Sequence, residues 1–161
     1  ASAGVGWVAM HMQGTPRTMQ KRPQYRDVVG EVFGFLVDRA RTANDAGVSE
    51  VWVDPGIGFG KEIGHNLSLL KHLSSLVGTG YPVLVGTSRK SFVAKLAPRS
   101  DGKETGVDER LAASLATAVW AMLAGAAMVR VHDVAETVQA AALVGPSRLD
   151  ATLEAAPEAS R

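Results

Sequence analysis

The chain has no cysteine, which excludes disulfides and thiolate metal sites and fits a cytoplasmic protein. It has no apolar run approaching the ~18 residues of a membrane span. Nothing at its start has the basic, then apolar, then small-residue order of a signal peptide. Net charge is nearly absent as well, because 17 Lys+Arg against 16 Asp+Glu leave +1. No global field draws the chain to nucleic acid or to a membrane surface, and neither is expected as a partner. Its four histidines, His11, His65, His72 and His132, have no His-Glu-x-x-His or other ligand spacing, so no protein-only metal site is expected. What is present is 161 residues, 46% of them hydrophobic, enough for one domain with a real core.

The hydrophobic pattern alternates between two periods. A strand is expected over about Trp7–Met12, ending at the turn signal Gly14-Thr15-Pro16. The basic stretch Arg17–Arg26 reads as a loop. From Asp27 the spacing of Val29, Val32, Phe33, Leu36, Ala40 and Ala43 marks one helix face, with Asp27 as N-cap and Gly47 just past the end. A strand over Glu50–Val53 follows, then a helix over about His65–Val77 with Leu69, Leu73 and Leu76 on one face. Pro82–Gly86 is a strand apolar on both faces, as parallel strands are. After a polar loop at about Pro98–Val107 comes a helix over Asp108–Ala124, with Leu111, Leu115, Val119 and Met122 inward. Met128–His132 is a fourth strand. Asp133 and Glu136 suggest a capping box for a last helix ending near Gly145, and the tail from Pro146 is expected to be frayed.

Strand and helix therefore alternate four times, with crossovers long enough for parallel right-handed connections. A polar cluster follows each strand, the layout of a β/α protein with its site at the carboxyl ends of the strands. Four units make half of a (β/α)8 barrel, which takes ~250 residues. The most informative stretch is Val51–Lys61, Val-Trp-Val-Asp-Pro-Gly-Ile-Gly-Phe-Gly-Lys. Asp54 stands at the end of a buried strand beside a loop of bare backbone, where it can accept paired hydrogen bonds from an amidine-like face; Phe59 can wall a ring. A solvated Asp-Pro-Gly turn is the plain alternative. Lys61 stands where a dinucleotide-binding loop needs its third glycine, so a dinucleotide site is not expected.

Arg130 and His132, two apart on a strand, point the same way and suit a phosphate site or, for the guanidinium, stacking on a flat ring; solvated strand ends are the alternative. Ser88-Arg89-Lys90-Ser91 is not a phosphate-binding P-loop, because Arg89 stands where glycine is required. Lys90 remains a candidate donor to a carbonyl or ring nitrogen, whereas Arg89 is expected to cap a helix or meet solvent. His11 is expected to pack or hydrogen-bond within its strand, and Met10 and Met12 to be core filler, with one of them facing a flat ligand as the alternative.

Four segments in order resemble dihydropteroate synthase: Met-His-Met-Gln-Gly-Thr-Pro-x-Thr-Met-Gln at 10–20, Asp-Pro-Gly-Ile-Gly-Phe-Gly-Lys at 54–61, Val-Leu-Val-Gly-x-Ser-Arg-Lys-Ser at 83–91 and Arg-Val-His-Asp-Val at 130–134. That resemblance implies a (β/α)8 barrel, of which residues 1–145 are the second half, with 146–161 a flexible tail. It also implies condensation of a dihydropterin methyl diphosphate with 4-aminobenzoate, which sulfonamides mimic, in a cytoplasmic homodimer. On this basis Asp54 reads the pterin's amino-pyrimidine edge, Lys90 donates to the ring, and Met10 and Phe59 line its pocket. Arg130 stacks on the pterin and, with His132, holds the diphosphate, while Ser91 faces the aminobenzoate. Mg2+ is implied too, with its protein ligand in the missing first half, where the mobile catalytic loops also belong. A fragment inactive by itself is expected, with a diverged, inactive pterin-binding paralogue as the alternative.

Overall fold

In the computed structural model, residues 1–144 are described; the expected helix end at Gly145 and the tail lie outside them. Strands β1 (Trp7–Met10), β2 (Val51–Asp54), β3 (Leu84–Val85) and β4 (Met128–Val129) alternate with helices α1 (Val28–Asp45), α2 (Ile63–Lys71), α3 (Leu73–Val77), α4 (Ser91–Leu96), α5 (Leu111–Leu123) and α6 (Val134–Val144). All pairings are parallel: β1 with β2, β2 with β3 through a Val53–Val83 bridge, and β3 with β4. Among the described residues each strand thus lies beside its sequence neighbour, and not in the reversed order of a doubly wound sheet.

Helix α1 forms where its cap and its stripe agree. The Asp27 carboxylate accepts from the Val29 amide at 3.1 Å, and Glu31 accepts in return from the amides of Arg26 and Asp27. Val32, Leu36 and Ala40 are fully buried along its face. They share one core with Ala9, Val51, Val53, Val83 and Val85, so one face of the sheet is covered by helices. The opposite face, set by the pairs Val8–Trp52, Met10–Asp54 and Leu84–Met128, remains partly open. On it Val8 is 39%, Met10 38% and Met128 45% exposed. Met10 is therefore not core filler.

Other expectations are corrected by the structure. The helix over His65–Val77 is two pieces, Ile63–Lys71 and Leu73–Val77, meeting at His72, whose amide and ring Nδ1 both meet the Ser68 carbonyl, at 3.1 and 2.9 Å; Leu69, Leu73 and Leu76 stay fully buried across the break. The helix from Asp108 begins as a 3-10 turn, Val107–Glu109, and restarts at Leu111. Its buried face is Ser114, Ala118 and Ala121, whereas Leu111 is exposed. Periodicity could not choose a face on a helix apolar all round. The polar links did, since the Ser114 hydroxyl accepts from the Arg89 amide and the Thr117 hydroxyl donates to Thr87. Strand β4 is short because, after Arg130 donates its amide to Val85, the His132 amide leaves the ladder for the Ser88 hydroxyl. Finally, Asp133 does not form the expected capping box. Its carboxylate is held by Arg89.

Candidate functional site

Asp54 closes β2 with 1% of its surface exposed. Its Oδ1 accepts from the Gly56 amide at 2.7 Å and its Oδ2 from the Arg130 guanidinium at 2.8 Å. A buried carboxylate without such partners would be costly. Arg130 lies across Gly86, where an added Cβ would sit 3.0 Å from its Nη2. The Arg130 side chain is 52% exposed, so a ligand reaching Asp54 meets this Arg130 contact at the surface.

Lys90, at the exit of β3, donates from its ammonium to the Ile57 carbonyl and stands 4.3 Å from the centre of the Phe59 ring. Burial lowers its pKa to about 8; Asp54 draws it up and Arg130 pushes it down. It is therefore mostly protonated at neutral pH, with an aromatic wall beside it. Met10 is paired with Asp54 across β1 and β2 and shares its face of the sheet. Asp54, Lys90, Arg130, Phe59 and Met10 thus converge at one end of the sheet. Ser91 begins α4 and lines an adjoining cleft of about 560 Å³ with Gln20, Arg22, Gly58 and Lys95. His132 is tied through Nδ1 to Ser88 at 3.0 Å.

Two residues of this region were not legible as a unit. Lys61, only 4% exposed, sends its ammonium to His11 Nδ1 at 3.0 Å and to the carbonyls of Gly56 at 3.0 Å and Phe59 at 3.1 Å, with the His11 carbonyl at 3.4 Å. It ties the glycine loop to the exit of β1. His11 does pack as expected, its ring edge-on to Phe35, but its partner is this lysine fifty residues away and not a neighbour in its strand. Arg89, read as a cap or a solvated charge, instead joins Asp133 and lies 3.6 Å from Asp108, and its carbonyl accepts from Arg110. Its hydrogen bond holds the Asp133 carboxyl below the usual range.

Burial, and then the Lys61 charge, lower the His11 pKa to about 4 from an ordinary 6.5. The folded chain keeps this ring neutral where the unfolded chain takes up a proton. Stability tied to His11 is therefore full above pH 6.5 and is lost as pH falls toward 4. Urea unfolding at pH 7 and pH 4 is expected to show a loss of about 2–3 kcal/mol that His11→Gln does not share. Equal losses in both proteins would contradict the assignment.

The family model of pterin binding enzymes matches residues 1–132. The dihydropteroate synthase of Escherichia coli (strain K12) is 43% identical over 157 residues, covering 96% of this chain and 52% of that protein. The chain thus spans about half the length of the curated relatives it matches. Among solved structures, Yersinia pestis dihydropteroate synthase with a sulfonamide drug complex superposes with a TM-score of 0.84 at 39% identity, covering 93% of this chain and 53% of that one. The Thermus thermophilus enzyme in complex with 6HMPPP gives 0.81 at 43% identity, covering 89% and 55%.

Proposed function

This chain belongs to the family of pterin-binding enzymes, and from that premise we propose that it is the second half of a (β/α)8 dihydropteroate synthase barrel. Residues 1–145 would supply four of the eight β/α units. The sequential parallel strands, the open apolar face of the sheet and the match to about half of each relative support this reading. The observation that carries the function is Asp54, buried at a strand end between a backbone amide and an arginine, with Lys90 and Phe59 beside it.

In the proposed reaction, in folate biosynthesis, the amine of 4-aminobenzoate forms a C–N bond to the pterin's methylene carbon. The C–O bond to diphosphate breaks with its electron pair leaving on oxygen, and the amine loses a proton. Asp54 accepts from the amino-pyrimidine edge, and the protonated Lys90 donates to the pterin ring between Phe59 and Met10. Arg130 and His132 meet the charge that grows on the departing diphosphate, which fixed donors stabilise most at the transition state. Ser91, beside its cleft, faces the aminobenzoate or a sulfonamide in its place. Holding amine and carbon together supplies much of the remaining acceleration.

Mg2+ and a cytoplasmic location belong to this reading by resemblance. Among the described residues no group of three or more His, Cys, Asp or Glu stands ready to hold a metal ion. Among the described residues no helix is long and apolar enough to cross a membrane. Exposed Trp120, Leu123, Val134 and Val138 on α5 and α6 support a homodimer, which a monomer mass in sedimentation equilibrium would contradict. Because half of the site's strands lie outside these residues, the purified 161-residue chain is expected to form no dihydropteroate from dihydropterin diphosphate and 4-aminobenzoate. Sulfonamide-sensitive product from it would contradict the half-barrel reading.

A further inference from the structure

Ser88 is 4% exposed at the exit of β3, and its hydroxyl meets His132 twice. It accepts from the His132 backbone amide at 3.2 Å and lies 3.0 Å from the ring's Nδ1. The outer nitrogen, Nε2, has no protein partner among the described residues. A serine–histidine pair at this distance invites comparison with a nucleophile and its base. The burial argues otherwise, because the hydroxyl is turned into the protein and meets the ring's inner nitrogen.

A hydroxyl has one proton to give. If Nδ1 carried the ring proton, Ser88 would accept both from it and from the backbone amide, and its own buried O–H would have no acceptor among the described residues. Buried donors without acceptors are disfavoured. If the O–H donates to Nδ1, every group is satisfied and the neutral ring's proton must sit on Nε2. We propose that Ser88 is a positioning residue that locks His132 in the Nε2–H tautomer, so that the ring presents a hydrogen-bond donor, and not a base, to the anionic leaving group. His132 is thereby suited to grip a diphosphate oxygen and unsuited to take the proton of the attacking amine. This inference rests on the diphosphate reading only for the identity of the anion.

The test is long-range nitrogen–proton correlation NMR on the labelled 161-residue chain, above the ordinary imidazole titration range. The expected wild-type spectrum has a bare Nδ1 and a protonated Nε2 for His132. Ser88→Ala is expected to give a mixture of tautomers at His132 with His65 and His72 unchanged, and Ser88→Thr to restore the single form. A protonated Nδ1 in the wild type overturns the proposal, and so does an unaltered tautomer in Ser88→Ala. Should the alanine variant not fold, the wild-type spectrum decides alone. Titration with inorganic diphosphate separates the two readings. A locked Nε2–H ring whose signals ignore diphosphate supports the positioning role while overturning the assignment of the anion.

Discussion

Gly56→Ala is expected to destabilise the chain by about 3–5 kcal/mol, enough to leave much of it unfolded. Gly56 has φ +63, and a Cβ built on it would lie 1.8 Å from the carbonyl oxygen of His11. The left-handed backbone alone costs a non-glycine residue about 1–2 kcal/mol. The overlap costs more, because the atom in the way belongs to a fixed backbone. His11 donates its amide to the Asp54 carbonyl, and its ring and carbonyl are both within reach of the Lys61 ammonium. Gly64→Ala is the control, since nothing lies within 4 Å of a Cβ there and it sits in α2. Urea midpoints should fall sharply for the first variant and hold or rise by up to about 1 kcal/mol for the second. Similar midpoints for both would mean that the glycine loop does not pack on β1 as described.

Lys61→Met has the second large effect. It leaves the Phe59 carbonyl without its donor and the Gly56 carbonyl with only the Phe59 amide, at about 1–3 kcal/mol for an orphaned group. Part of this is offset, because burial lowers the Lys61 pKa to about 8 from 10.5 and removing a disfavoured charge is a gain. A net loss of about 1–3 kcal/mol at pH 7 is expected. The sign of the pH dependence identifies the group. Between pH 8 and 10.5 the unfolded chain holds a proton that the folded one has released, so wild-type stability rises with pH across that window. Lys90, also lowered to about 8, contributes in the same direction, so Lys61→Met should flatten the rise without abolishing it. An undiminished rise would show that Lys61 is not the buried ammonium.

The parts of the fold that were legible from sequence are those whose causes are local. Asp27 and Gly47 bracket α1 because a cap acts on its own helix turn, and the Asp-Pro-Gly exit announces Asp54 within three residues. What was not legible depends on partners far along the chain. Lys61 registers in the sequence only as a residue that is not glycine, since its acceptor on His11 comes from another strand. Arg89 looks solvated until Asp133, forty-four residues later, folds back onto it. The inward face of α5 is not legible from hydrophobicity because the distant links from Ser114 to Arg89 and from Thr117 to Thr87 set it. The same dependence on distant partners hid Ser88, whose significance lies wholly in His132.

Asp54 is the centre of the account, and calorimetric titration with a dihydropterin diphosphate tests it most directly. Asp54→Asn keeps the shape and the contact with the Gly56 amide but removes the charge facing Arg130 and the pterin. The account predicts binding weakened by about 1–3 kcal/mol, the worth of hydrogen bonds to a charged group. Equal affinity in the wild type and the variant would remove Asp54 from the site, and the pterin-binding wall with it.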